Sequence, residues 1–337
     1  MNSSNYSIKI SKSSIATLCW IIFSALLVMF DFKAFLNFNS SDETFFFTFS
    51  ETDSALQFIR YIIWGSYISS LSIIHPLFPI LLNIFIFGGV LNLFVKKFDV
   101  QNIYLILLLL IPSLLFFSQT YLRDFSLLTI NLFLFIAIAK KNSSKSIFVI
   151  LLIATLIFAL RPLFGIIVYF SLLSSILIRK VKFSLSYVFL GQIIMLFILF
   201  SFPSLKDMFI TEYLKLNGED VFSLLRIDLF NLNDSQLATG ILFNWLLYYF
   251  GVNIGMGNFL LLFPFFLESV IYLIFLKSFI FFNKMRFKED FLYRFSFWLI
   301  VFSIVSSVLE ADWASVYRHK LFFLPPLLYI ATKKFKN

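Results

Sequence analysis

The chain has 337 residues, 60% hydrophobic and only 13% charged, with a mean hydropathy of +0.93. A soluble domain carries about 25% charged residues, so a single water-soluble globule is excluded and lipid is the expected solvent for most of the chain. A net charge of +9 with one cysteine and two histidines excludes disulfides and makes a zinc site unsupported. Nucleic acid is excluded as a partner because no basic stripe carries interleaved stacking aromatics.

In chain order, Lys9 and Lys12 precede the apolar run 15–30, as in a signal peptide. No small-x-small cleavage site follows, only Asp31, Phe32 and Lys33, so an uncleaved first helix is expected. Apolar runs long enough to span, at about 17–25 residues per helix, fall at 14–34, 76–95, 102–120, 124–139, 146–161, 163–178, 184–202, 258–276, 291–309 and 318–332. Basic clusters occur at every second turn: Lys9/Lys12, Lys96/Lys97, Lys140/Lys141/Lys145, Arg179/Lys180/Lys182, Lys277 to Lys288 with Arg294, and Lys333/Lys334/Lys336. Together these hold 18 of the 27 Lys and Arg residues. The positive-inside rule then puts both termini in the cytoplasm. The expected fold class is all-α, a polytopic transmembrane bundle of about ten spans.

Two stretches break the pattern. Residues 56–74 carry Arg60 in an aromatic-rich segment, and 238–256 end in a glycine-rich tract. Reading either as a full span puts a lysine cluster outside, so both are expected as interfacial or re-entrant helices on the outer face. The outer loops are then about 31–75 and 203–258, and the whole of 1–337 forms one membrane domain.

Ionisable residues at helix ends or within a membrane are costly, which makes each a functional candidate. On the outer side these are Arg123-Asp124, Arg161 before Pro162, and Arg318-His319-Lys320, with Asp42-Glu43, Arg60 and His75 in or near the first loop. Each has a structural reading: Arg123 pairs with an acid, Arg161 snorkels to lipid phosphate, Arg318-His319-Lys320 anchors the interface, Asp42 and Glu43 are solvated, and His75 starts a helix. As a set at one depth, Arg123, Arg161, Arg318, His319 and Lys320 suit an anion, because arginine's planar fork binds phosphate and stays charged when desolvated. A nearby carboxylate suits a general base on a sugar hydroxyl. A lipid-borne phosphate headgroup meets both requirements.

The first-loop Ser41-Asp42-Glu43, the later His75-Pro76-Leu77 and the outer polar rim resemble membrane glycosyltransferases of the GT-C type. Tyr121-Leu122-Arg123-Asp124 and Tyr317 to Pro325 resemble segments of O-antigen and capsule repeat-unit polymerases (Wzy type). The chain departs from both groups: it has no C-terminal soluble domain and no arginine motifs in two large outer loops. The resemblance implies a bacterial inner-membrane protein of lipopolysaccharide or capsule assembly, acting on a polyprenyl-phosphate- or polyprenyl-diphosphate-linked sugar. It implies Asp42 or Glu43 as catalytic base and Arg123, Arg161 and Arg318, with His319 and Lys320, as phosphate-binding groups. No metal or other cofactor is expected; the bilayer and other polysaccharide-assembly membrane proteins are the expected partners. A single-sugar GT-C transferase and a lipid-linked oligosaccharide flippase are the alternatives.

Overall fold

A computed structural model describes residues 11–30, 61–121, 123–140, 144–178, 245, 248–249, 259–280, 284–309 and 313–334. Every regular element among them is helical. Helix α1 (Lys12–Met29) begins at Ser11, whose side chain accepts the Ser14 N–H, satisfying one of the amide donors that a helix start leaves open. A π-helical turn, Tyr61–Gly65, runs into α2 (Ser66–Ser72). Helix α3 (Phe78–Phe98) opens with Pro79 in its first turn and stops at Asp99, which takes the left-handed conformation with φ 53°. It packs against α1, and a Cβ on Gly88 would overlap the Ile21 side chain, so glycine lets the two helices cross closely.

Proline sets most of the remaining boundaries. The expected span at 102–120 is divided into α4 (Asn102–Leu109) and α5 (Pro112–Phe117). Pro112 has no N–H to continue the ladder and forces Ile111 into an extended conformation (ψ 116°). Helix α6 (Arg123–Ala139) is followed by α7 (Ser144–Leu160) and α8 (Pro162–Leu177). The α7–α8 reversal is made by Arg161 alone, held extended (φ −150°, ψ 96°) by Pro162 after it. Just beyond, a Cβ on Gly165 would overlap the Phe158 backbone, so only glycine lets α7 and α8 pack here.

Helices α9 (Phe259–Ile280), α10 (Lys284–Glu289), α11 (Phe291–Leu309) and α12 (Trp313–Lys320) follow. The expected last span, 318–332, is interrupted: α12 ends in a 3-10 turn, Leu321–Phe323, before α13 (Leu324–Lys334). Pro325 and Pro326 supply no N–H to the carbonyls of Leu321 and Phe322, four residues earlier. Leu324 N–H takes the first in the 3-10 turn, and Asn131 of α6 donates to the second at 2.7 Å.

Helix α6 is the hub. It packs against α3, α5, α7, α11, α12, the 3-10 turn and α13, and nearly its whole circumference is buried. Around it, α8 lies on α11, α9 on α13, and α11 on α13. Trp245 and Tyr249 donate to Ser303 of α11 at 3.0 and 2.7 Å, and buried Tyr248 lies beside Ser306. These three are the described part of the 238–256 segment.

Peripheral helices turn apolar side chains outward. On α1, Ile15, Leu18, Ile22, Phe23 and Leu26 are exposed while Ser13, Thr17 and Ser24 are buried. Helices α7 and α8 likewise expose Phe148, Leu152, Phe170 and Leu173. Two described helices, α1 with 18 residues and α3 with 21, are long and apolar enough to cross a membrane. Shorter apolar helices lie within α7, α8 and α11. The expected span 184–202 lies outside the described residues.

Candidate functional site

Three structural devices described above converge at one end of the bundle. Asp124 stands in the first turn of α6, Arg161 is the extended hinge before α8, and His319 is the penultimate residue of α12. Arg161 spreads its guanidinium between the other two: Nη1 donates to Asp124 Oδ1 at 3.3 Å and Nη2 to His319 Nδ1 at 3.3 Å. A guanidinium is donor only, so Nδ1 accepts and the imidazole carries its proton on Nε2. That nitrogen lies 3.5 Å from Oδ1 of Asp124. The three side chains close a ring of carboxylate, guanidinium and imidazole.

Phe164, one turn into α8, is the floor of this ring. Arg161 lies over its face at 5.4 Å, His319 meets it edge-on at 5.4 Å, and Phe322 stacks on it at 4.5 Å. Asp124 and His319 are buried (3% and 0% exposed), whereas Arg161 keeps 19% exposure and is the member a ligand could reach. The half-buried Arg318 and Arg123 also act electrostatically on Asp124. Sequence candidates nearly two hundred residues apart, Arg123, Asp124, Arg161, Arg318 and His319, are thus gathered around one carboxylate.

Lys320 does not join them. Successive helical residues point about 100° apart, and Lys320 turns toward α9, where Nζ lies 2.8 Å from Glu268 Oε1 with both side chains fully buried. Lys320 thus stands apart from the other phosphate-binding candidates, its charge paired with a buried carboxylate. Glu268 also accepts from Ser113 N–H and Oγ, each at 2.9 Å, just after the α4–α5 break. Lys320 Nζ sits 3.8 Å from the Tyr317 ring centre and 4.9 Å from that of Tyr272.

Glu268, Ser113, Tyr272 and Tyr317 are not among the sequence candidates. One signal was legible: Glu268 interrupts an otherwise apolar run, and a buried acid there requires a buried base. Glu268 thus places a charged group in the interior of the expected span 258–276.

His75 is exposed, and its Nδ1 accepts the Leu77 N–H at 3.2 Å in the turn before α3. Its neighbour Pro76 accepts a hydrogen bond from Tyr121 at 2.6 Å, linking this turn to the segment leading into α6. Asp42, Glu43 and Arg60 lie outside the described residues. Among the described residues, no group of three or more His, Cys, Asp or Glu side chains is arranged to hold a metal ion.

The far end of the bundle has a different character. Arg294 donates to the carbonyls of Ser175, Phe287 and Lys288 at 2.8–3.0 Å, and Asp290 accepts from Tyr329 at 2.7 Å. These are helix-end contacts, which satisfy carbonyls that the helices leave open. No protein-family model, curated protein or solved structure matches the chain.

Proposed function

We propose that the chain is a multi-pass inner-membrane glycosyl-transfer protein of bacterial surface-polysaccharide assembly, with about ten spans and both termini cytoplasmic. Its most specific form is an O-antigen or capsule repeat-unit polymerase acting on polyprenyl-diphosphate-linked glycans at the periplasmic face. The observation that carries this reading is the Asp124–Arg161–His319 ring, with Arg123 and Arg318 acting on the same carboxylate. Cations drawn from three separate elements around one carboxylate, with Arg161 among them partly exposed, make a site suited to a lipid-borne anion. The outward apolar faces of α1, α7 and α8 support a hydrocarbon surrounding.

In the proposed reaction an acceptor sugar hydroxyl attacks the anomeric carbon of the lipid-linked glycan. The new C–O bond forms as the bond from that carbon to the phosphate oxygen breaks, and the polyprenyl diphosphate leaves with the electron pair. Arg161, supported by Arg123 and Arg318, stabilises the charge growing on that leaving group, an electrostatic contribution that costs no reorganisation at the moment of reaction. The hydroxyl proton passes to a carboxylate, Asp42 or Glu43, a role that rests on the first-loop resemblance.

A second reading, a carrier for lipid-linked saccharide, is favoured by one observation. The Glu268–Lys320 pair lies buried beside the broken helix α4–α5, and discontinuous helices with internal charges recur in transporters. A surface-polysaccharide gel of a strain lacking the gene separates the readings. A ladder collapsed to a single repeat fits the polymerase, and a retained ladder with shifted bands fits a single-sugar transferase. Loss of polymer and single repeat together fits a carrier and would sink the polymerase.

A further inference from the structure

The Glu268–Lys320 pair has no direct place in the proposed reaction, yet it is fully buried and ties three elements together. Two buried charges cost several kcal/mol each to desolvate, and neutral side chains of similar volume often serve stability equally well. Its neighbour explains what else it does. Lys320 directly follows His319, the imidazole of the anion site. Both close α12, an eight-residue helix too short to hold its own orientation. What fixes its azimuth is Lys320, drawn to Glu268 of α9 at 2.8 Å and lying 4.9 Å from the ring centre of Tyr272 on the same helix. Glu268 is in turn immobilised by the two Ser113 hydrogen bonds at the α4–α5 break. With Lys320 pinned toward α9, the helical turn leaves His319 only the direction of Asp124 and Arg161.

We propose that Glu268 is a positioning residue: through Lys320 it holds His319 in the Nε2-protonated orientation in which Nδ1 accepts from Arg161 and Nε2–H faces Asp124. The broken helix supplies the fixed point, since Ser113 N–H is available to Glu268 only because Pro112 restarts the helix there. Its functional consequence rests on the anion-site reading; its structural content does not.

The test uses the full chain in detergent micelles. With two histidines in the chain, a His75→Gln background leaves His319 as the sole imidazole for ¹⁵N spectroscopy. Glu268→Gln alone strands the Lys320 charge and endangers folding, so the decisive variant is Glu268→Gln/Lys320→Met, which removes both charges and keeps the volume. In the parent, one protonated and one unprotonated ring nitrogen are expected; in the double variant, the two signals converge as the tautomers exchange. Retention of the parent's two signals in the double variant would overturn the proposal. Farnesyl diphosphate is the probe for the consequence, with binding at least tenfold weaker in the double variant and equal binding counting against it. Failure of the parent to bind farnesyl diphosphate would instead overturn the anion-site reading, while the imidazole signals still decide the positioning role.

Discussion

At the scale of single residues, the site depends on the shape of a guanidinium rather than on its charge alone. Arg161 reaches Asp124 with one terminal nitrogen and His319 with the other, a span that a lysine ammonium cannot match. Arg161→Lys is therefore expected to behave like Arg161→Ala. Both should lose transfer activity by about 30-fold or more, consistent with the roughly 2–5 kcal/mol lost when one partner of a buried charge pair is removed. The measurement is ladder formation in a complemented deletion strain, with immunoblotting of the membrane fraction to show that insertion persists. Activity retained in Arg161→Lys would mean that only a positive charge is needed. The sequence marked Arg161 because an ionisable residue between two apolar runs is costly, and it marked His319 and Asp124 through their charged neighbours. It could not show that Lys320 faces elsewhere, because direction around a helix is settled by the partner it meets. That partner, Glu268, stands out as the one acid in the apolar run 258–276, but the run does not say which base it meets.

At the scale of elements, proline decides where the helices end, and side chains repair what proline removes. Asn131 satisfies the Phe322 carbonyl that Pro326 leaves without a helical donor. Asn131→Leu, which keeps the number and branching of side-chain heavy atoms, should destabilise the protein by about 1–3 kcal/mol, the cost of a buried unsatisfied polar group. Pro326→Ala restores an N–H and should recover much of that loss, so the two substitutions are expected to be strongly non-additive in a denaturation cycle in detergent. Additive effects would mean that the Phe322 carbonyl is satisfied in another way. Gly165→Ala tests the neighbouring hinge: its methyl meets the Phe158 backbone, which cannot swing aside as a side chain would. A loss of about 1–3 kcal/mol is expected, as for other overpacked positions, and a lower thermal midpoint is the readout. Hydropathy located the Arg161–Pro162 boundary because two apolar runs flank it. It missed the breaks at Ile111 and Leu321–Phe323, where the apolar pattern continues through the interruption and only the missing N–H groups report it.

At the scale of the whole molecule, α8 separates two polar ends of opposite character. Arg161 precedes its first residue with the proposed anion site, and Ser175 near its last turn receives Arg294. At 1.5 Å per residue, the 16 residues of α8 place these ends roughly 24 Å apart. Helix α3, with 21 residues, is about 31 Å long by the same rise, close to the ~30 Å hydrocarbon core of a bilayer. Its start adjoins Pro76 and Tyr121 on the side of the anion site, and its end carries Lys96 and Lys97 and packs Phe98 against Tyr329. In the proposed orientation a spanning α3 puts Ile74 outside and Gln101 inside, both exposed positions. In a Cys19→Ser background, a cysteine at position 74 should react with a membrane-impermeant thiol reagent in cells whose outer membrane alone is permeabilised. A cysteine at position 101 should react only once the inner membrane is opened. The unsubstituted chain supplies a separate comparison, since its Cys19 is exposed on the outward apolar face of α1 and should stay shielded until detergent replaces the lipid. Labelling of positions 74 and 101 from the same side would mean that α3 does not cross. The proposed outward-facing anion site would then lose the orientation on which its access to a periplasmic acceptor depends.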